Sequence, residues 1–213
     1  MQPQELCNRV CLCGTVDETP QSSHVLYGEV FYTFPLRIAR LSGADDVVPV
    51  TAGGRLFARP GAADAQLPPL PCQGQRVRIS GQLRSYNMHQ DAASRLLITA
   101  FARHMAYAEP EAACENEVLL SGFLCKPVTY RTTPFSREIA DMLLAVNRAY
   151  RKSDYLPLIA WGRNARFAAS LQVGDCICVS GRLQSRAYQK RTETGAVIQR
   201  MAYEVSVATL RLI

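Results

Sequence analysis

The sequence has few of the residues from which catalytic and metal sites are usually built. It contains 3 histidines, His24, His89 and His104, and their spacing does not match that of zinc ligands. No phosphate-binding loop, dinucleotide-binding glycine motif, zinc-protease motif or nucleophilic-serine motif is present. We therefore expect a binding protein that is not an enzyme and that carries no metal or other cofactor.

Long apolar runs are also missing from the sequence. None approaches the ~20 residues that a membrane-spanning helix needs. The first residues, Met1–Leu6, lack the basic and apolar regions of a signal peptide, so we expect a cytoplasmic protein without membrane contact. Cysteines in that compartment are usually reduced. Cys11 and Cys13, like Cys176 and Cys178, lie two residues apart on strand-like apolar runs, and we expect buried thiols.

The positive charge, +6 in total, is concentrated in the second half of the chain. Residues 1–110 contain 10 basic and 9 acidic residues, whereas residues 111–213 contain 14 basic and 9 acidic residues. A polyanionic partner should therefore prefer the second half.

The chain repeats itself at a spacing of about 100 residues. Residues 46–55 and 154–163 share Asp, Pro, Ala, Gly and Arg at an offset of 108. Further along, residues 80–85 and 180–185 share Ser-Gly, Leu and Ser at an offset of 100. This period is too long for a solenoid and matches two small domains. We therefore expect duplicated domains at 1–108 and 114–213, with a linker around Pro110.

Each copy has the strand and turn signals of a small all-β domain. In the second copy, Asn164–Leu171 has helical spacing and Gly174 follows as a stop. Three predicted strands precede this helix and two follow it, which is the order of the five-stranded Greek-key oligonucleotide-binding (OB) barrel. Gly122 and Gly181 are expected to let strands bend. The first copy follows the same plan, except that a loop is expected in its Ala- and Pro-rich stretch 62–71. The five predicted strands of the second copy are 118–124, 139–148, 155–161, 176–185 and 201–212.

Four short segments of the second copy follow one another across almost 100 residues. They are Leu144–Arg148, Ala160–Ala165, Val173–Asp175 and Val179–Arg186. In this order and spacing they resemble the bacterial single-stranded DNA-binding protein (SSB) family. The first copy resembles that family only through its kinship with the second. The resemblance implies two tandem OB barrels.

The resemblance also implies a set of DNA-binding residues. In that family, bases stack on a few aromatic side chains of the barrel, and basic residues between them hold the backbone. Such stacking is tolerant of sequence, at ~1–3 kcal/mol per base. The alternative stays open at this point: the aromatics could be core residues and the cations a solvated face. The aromatic positions fall on Tyr150, Tyr155, Trp161 and Tyr188, and the flanking cations are Arg148, Arg151, Lys152, Arg163, Arg166, Arg186, Lys190 and Arg191.

The first copy lacks aromatic residues at all four equivalent positions. These are Ser42, Val47, Gly53 and Met88, although Tyr86 lies two residues from Met88 and could replace it. We expect the first barrel to have a structural or assembly role. The alternative is that it binds DNA by another surface, with the cations Arg76, Arg78 and Arg84.

The expected function is sequence-tolerant binding of single-stranded DNA in replication, recombination or repair. A protein–protein adaptor of the primosome or replisome is the alternative, and RNA is a further candidate ligand because stacking does not exclude a 2′-hydroxyl. SSB proteins usually end in an acidic recruitment tail. This sequence ends in the strand-like Ala208–Ile213, so recruitment by that route is not expected.

SSB-like barrels typically act in sets of four, so we expect a homodimer of two-barrel chains. The apolar strands Val10–Val16 and Val118–Leu124 are expected to offer unpaired edges for such assembly. The rival outcome is that the two barrels pair within one chain.

Overall fold

The computed structural model describes residues 7–58, 67–90, 93–191, 195 and 197–213. These residues form twelve strands and one short α-helix, α1 (Arg163–Ala168), with 3-10 turns at Gly54–Leu56 and Ala149–Arg151. No helix among the described residues is long and apolar enough to cross a membrane. The strands are β1 (Asn8–Val16), β2 (Gln21–Leu26), β3 (Glu29–Ala39), β4 (Asp45–Gly53), β5 (Arg76–Gln90), β6 (Ala93–Tyr107), β7 (Glu115–Leu124), β8 (Thr129–Thr132), β9 (Glu138–Asn147), β10 (Ser153–Trp161), β11 (Cys176–Arg191) and β12 (Val197–Leu212).

Five strands of each half close into a barrel. In the first half β1 pairs with both β3 and β5, and β4 pairs in parallel with β6, so the sheet returns to its starting strand. In the second half β7, β9, β10, β12 and β11 close in the same way. The prediction of an all-β fold with two tandem OB barrels is confirmed.

Two edge strands were not predicted. Among the described strands, β2 pairs only with β3 and β8 pairs only with β9. All their residues are exposed, so neither strand carries the apolar alternation from which the other strands were predicted. Of the loop expected at 62–71, residues 62–66 lie outside the described residues, and residues 67–71 form no helix or strand.

Alternate residues of the barrel strands fill the core. On β1, for example, Val10 and Leu12 are fully buried, as are Leu156 and Ala160 on β10. Register shifts occur at Ser80/Gly81 and Ser180/Gly181, where a Cβ atom on the glycine would collide with the backbone of the partner strand. The strand can therefore bend there, as predicted for Gly181.

The cysteines are free thiols, but they are not uniformly buried. Of the four cysteines expected to be buried, Cys13 and Cys178 are buried but Cys11 and Cys176 are only half-buried, and outside this set Cys72 and Cys114 are exposed. These two lie outside the strands, where the argument from strand faces does not apply. No group of three His, Cys, Asp or Glu side chains in the described part of the chain is arranged to hold a metal ion.

The expectation that β1 and β7 offer unpaired edges is wrong. The two strands pair with each other in antiparallel register, with Val10 opposite Val118 and Asn8 opposite Leu120. Each barrel therefore satisfies the free edge of the other within one chain, and a single twelve-stranded sheet runs through both barrels. The rival outcome, pairing of the barrels within the chain, is the one observed.

Candidate nucleic-acid interface

Two of the predicted stacking residues lie on the outer face of β10. The strand alternates, so Asp154, Leu156 and Leu158 point inward while Tyr155 and Trp161 point outward. Tyr155 is 43% exposed and Trp161 is 41% exposed. Because they are six residues apart on one strand, their Cα atoms are separated by about 20 Å. Both rings are thus available on the same face, and neither is a core residue.

The other two predicted stacking residues lie on different elements. Tyr188 is half-buried on β11, opposite Arg200 of β12. This part of β11 extends beyond the residues that pair with β7, Cys176–Gly181. Tyr150 is in the 3-10 turn between β9 and β10, and its side chain lies outside the described residues.

The turn between β9 and β10 holds a basic residue in an unfavourable backbone conformation. Arg148 N donates to Lys152 O at 2.7 Å and closes the turn. Arg151 has a φ of 55°, in the left-handed region that favours glycine. At the equivalent place in the first barrel, Gly43 has a φ of 82°. The second barrel thus keeps an exposed arginine where glycine would be less strained, and such strain is often found at functional sites.

The predicted phosphate-binding cations differ in whether they already form ion pairs within the chain. Arg151, Lys152 and Arg163 are exposed and form no ion pair within the described part of the chain. Three others are engaged: Arg148 pairs with Asp154, Arg166 with Glu138 and Arg186 with Glu204, at 3.3, 3.0 and 3.5 Å. Lys190 and Arg191 belong to β11, but their side chains lie outside the described residues.

The first barrel presents a different surface at the equivalent positions. Gly53 corresponds to Trp161, and a Cβ atom there would collide with the carboxylate of Glu29. That carboxylate accepts a hydrogen bond from Arg55 N at 3.3 Å. An acidic group thus occupies the space in which the second barrel displays its indole. Val47 is half-buried and Ser42 is exposed, while the side chain of Met88 lies outside the described residues.

The alternative cations of the first barrel are occupied by other groups. Arg76 donates to the sulfur of Cys114 at 3.1 Å, and Arg78 pairs with Glu115 at 3.5 Å. Arg84 pairs with Asp154 of the second barrel at 2.9 Å. Each of the three side chains therefore has a partner within the described structure, as Arg186 does in the second barrel.

A buried contact between the barrels, not predicted from the sequence, lies beside Tyr155. Asp154 is fully buried and accepts hydrogen bonds from Ser85 N at 2.8 Å and from Arg84 at 2.9 Å, both from the first barrel. Arg148 of the second barrel donates to the same carboxylate at 3.3 Å. Tyr155 N in turn donates to the hydroxyl of Ser85 at 2.7 Å. We call this group of Asp154, Ser85, Arg84 and Arg148 the Asp154 contact.

The Asp46 contact repeats this arrangement with the barrels exchanged. Ser185 N donates to Asp46 at 2.9 Å, and Val47 N donates to the Ser185 hydroxyl at 3.0 Å. Arg40 binds the carboxylate from its own barrel, and Arg182 approaches it from the other barrel at 3.7 Å. Asp46 and Asp154, like Ser85 and Ser185, are residues that carry the sequence repeat. The identity of these residues in both copies was therefore the sequence feature from which the two contacts could have been predicted.

Comparison with known proteins places the second half of the chain in a family. The model of the "Single-strand binding protein family" matches residues 115–213. Single-stranded DNA-binding protein 3 of Clostridium acetobutylicum is 31% identical over 96 residues, which cover 42% of this chain and 67% of that protein. Single-stranded DNA-binding protein A of Bacillus subtilis is 36% identical over 83 residues, or 36% of this chain and 48% of that protein. The chain thus spans about half to two thirds of the length of these curated relatives.

Solved structures extend the similarity to both barrels. Wild-type single-stranded DNA binding protein from Thermus aquaticus aligns with a TM-score of 0.75 and 23% identity, covering 98% of this chain and 93% of that one. A deletion mutant of the same protein gives a TM-score of 0.73 with 24% identity, covering 98% and 95%. At this identity the likeness concerns the fold, and it includes the tandem arrangement. The sequence matches show that the chain belongs to the single-strand binding protein family.

Proposed function

We propose that this protein binds single-stranded DNA with little dependence on sequence, in replication, recombination or repair. The observation that carries the proposal is the pair of exposed rings, Tyr155 and Trp161, on the outer face of β10. Every base has a π face, so rings displayed in this way can stack with any of them. Tyr188, and Tyr150 from the preceding turn, extend the proposed stacking set. The protein acts by binding and not by catalysis.

The phosphates are held by basic residues next to these rings. Arg151 and Lys152 precede β10, and Arg163 follows it at the start of α1, so unpaired cations stand at both ends of the strand that carries the rings. Arg186, Lys190 and Arg191 serve the same purpose beside Tyr188. Arg148 contributes mainly by neutralising the buried Asp154, which would otherwise repel a phosphate at this place.

The two barrels divide the work. The barrel at 114–213 carries the stacking residues and most of the positive charge, and the barrel at 1–108 has a structural role. The Glu29 carboxylate in the position equivalent to Trp161 supports this division, because it fills the space that a stacking ring would need and pairs with Arg55 at 3.6 Å.

The fluorescence of Trp161, the single tryptophan, tests the proposal. Its emission should be quenched on titration with oligo-dT, and Trp161→Ala should lose ~1–3 kcal/mol of affinity in an anisotropy assay with labelled DNA. Phe167→Ala is the matched control, since Phe167 is a comparably exposed aromatic that lies on α1 and outside the proposed stacking set. Unchanged emission at saturating oligo-dT would contradict the proposal. A parallel titration with oligo-U measures whether RNA is accepted.

A homodimer remains the proposed assembly, but not through β1 and β7 edges, because those edges are used within the chain. The outer face of the paired strands, where Cys11 and Leu119 are half-buried next to Arg9 and Glu117, is the surface that we propose for contact with a second copy. Light scattering at micromolar concentration should give about twice the chain mass of 23.6 kDa. A mass near one chain would contradict the dimer.

A further inference from the structure

One exposed aromatic of the first barrel lies at the Asp154 contact. Tyr86 follows Ser85 on β5 and is 44% exposed. Ser85 uses its backbone N to bind Asp154 at 2.8 Å and its hydroxyl to bind Tyr155 N at 2.7 Å. Tyr86 is therefore the neighbour in sequence of the residue that binds Tyr155 N, although it belongs to the other barrel.

The charges around Tyr86 come from both barrels. Burial raises the pKa of its hydroxyl, and the charged groups that act on it are Arg148, Arg84 and Asp154. The phenol is therefore neutral at physiological pH and lies among two guanidinium groups and one carboxylate, with a net charge of about +1. An aromatic ring beside net positive charge has the two properties that the proposed DNA-binding residues of the second barrel combine.

Among the described residues, the Asp46 contact has no aromatic ring at the equivalent positions. Its residue equivalent to Tyr86 is Arg186, and its residue equivalent to Tyr155 is Val47. Aromatic residues thus occur together on one side of the inter-barrel contact and are missing together from the other. A purely structural role of Tyr86 in the first barrel would not explain why it occurs at the same inter-barrel contact as Tyr155.

From this placement we propose that Tyr86 is a further base-stacking residue, supplied by the first barrel to the DNA path of the second. This inference rests on the proposed function. The single strand then crosses the contact between the barrels at this point, passing from Tyr155 to Tyr86. Ser85 and Arg84 act as positioning residues, because they fix β5 against the start of β10 through Asp154 and Tyr155 N.

The test compares Tyr86→Ala with Tyr86→Phe in the full chain. Loss of one stacked base should weaken oligo-dT binding about tenfold, within the range measured for base–aromatic stacking. Tyr86→Phe keeps the ring and should stay within about twofold of the unchanged protein. Tyr27→Ala is the matched control: Tyr27 is a fully exposed tyrosine of the same barrel, in the turn between β2 and β3 at the far edge of the sheet, and its loss should leave affinity unchanged.

Two readouts separate this inference from the proposed function. Oligonucleotides carrying 5-iodouracil should crosslink to a peptide containing Tyr86, identified by mass spectrometry, and this crosslink should disappear in Tyr86→Ala. If Trp161 emission is quenched normally while Tyr86→Ala binds as tightly as Tyr27→Ala and no Tyr86 crosslink forms, the inference is wrong and the proposed function stands. If Trp161 is not quenched at all, the proposed function itself fails.

Discussion

Replacement of Asp154 by alanine tests whether the buried contact holds the two barrels together. The substitution removes a carboxylate that is fully buried and that accepts hydrogen bonds from Ser85 N, Arg84 and Arg148. It leaves two guanidinium groups facing each other without an anion, and it leaves one backbone N–H of β5 without its acceptor. Removal of one partner from a buried ion pair typically costs about 3–5 kcal/mol.

The Asp46 contact predicts a smaller loss for the same substitution. The arginine side chain from the opposite barrel is 13% exposed for Arg84 but 37% exposed for Arg182, which also lies farther from its carboxylate, at 3.7 Å. A more exposed guanidinium recovers water when its partner is removed, so Asp46→Ala should cost less than Asp154→Ala. The structure therefore predicts that Asp154→Ala lowers the free energy of unfolding more than Asp46→Ala does.

Thermal and urea unfolding of the full chain measure both losses. For a protein of this size each kcal/mol lowers the Tm by about 2–4 °C, so Asp154→Ala should lower it by roughly 6–20 °C. Asp141→Ala is the matched control, since it removes an exposed ion pair with Arg131 on the adjacent strand, worth about 0–1 kcal/mol. Combining Asp154→Ala with Arg84→Ala should cost less than the sum of the two single losses, because the double variant lacks one of the unpaired charges.

If Asp154→Ala is no less stable than Asp141→Ala, the contact contributes nothing to stability. The reasoning that ties the duplicated aspartates to the assembly of the two barrels would then be refuted. Strict additivity in the double variant would show that the loss does not come from the unpaired guanidinium of Arg84.

Two further predictions concern the turn between β9 and β10. The double variant Arg151→Ala, Lys152→Ala should weaken binding of oligo-dT and of mixed-sequence DNA to the same extent. It should also reduce the slope of log K against log salt by up to about 1.4, since each phosphate contact on a single strand contributes about 0.7. A loss of affinity confined to one base composition would indicate base recognition. Arg151→Gly should raise the free energy of unfolding by about 0.5–1 kcal/mol, because glycine adopts the left-handed conformation without strain. The same substitution should lower the affinity for DNA. A lower free energy of unfolding in urea would argue against strain at this position.

The barrel strands could be predicted from the sequence because their core residues alternate. Leu156, Leu158 and Ala160 on β10 repeat the inward positions that define a half-buried strand, and Tyr155 and Trp161 have the opposite phase. The phase places these two rings on the outer face, but it does not fix their exposure, because Ile159 has the same phase and is buried. β8 shows the limit of this reasoning, because a strand that contributes nothing to the core leaves no alternation in the sequence.

The partners of side chains between the barrels could not be predicted in this way. Arg84 and Arg148 read as ordinary basic residues, and both were predicted or considered as phosphate ligands. Their shared partner, Asp154, lies on the inward face of β10, where an apolar residue would be expected. Only the position of β5 of the other barrel explains how a carboxylate is tolerated there, and that position depends on the β1–β7 pairing, which sequence alternation does not specify.

The residues shared by the two copies have a common physical reason. β1 and β7 pair antiparallel, so the contact between the barrels has approximate twofold geometry, and each residue on it meets the other barrel at the equivalent place. Asp46 therefore meets Ser185 as Asp154 meets Ser85, and a substitution in either copy removes one of two equivalent contacts. Positions that face away from this contact carry no such constraint. The residues at the equivalent outer positions 53 and 161 could therefore diverge. In the first barrel Gly53 leaves its space to the Glu29 carboxylate, and in the second barrel Trp161 displays an exposed indole.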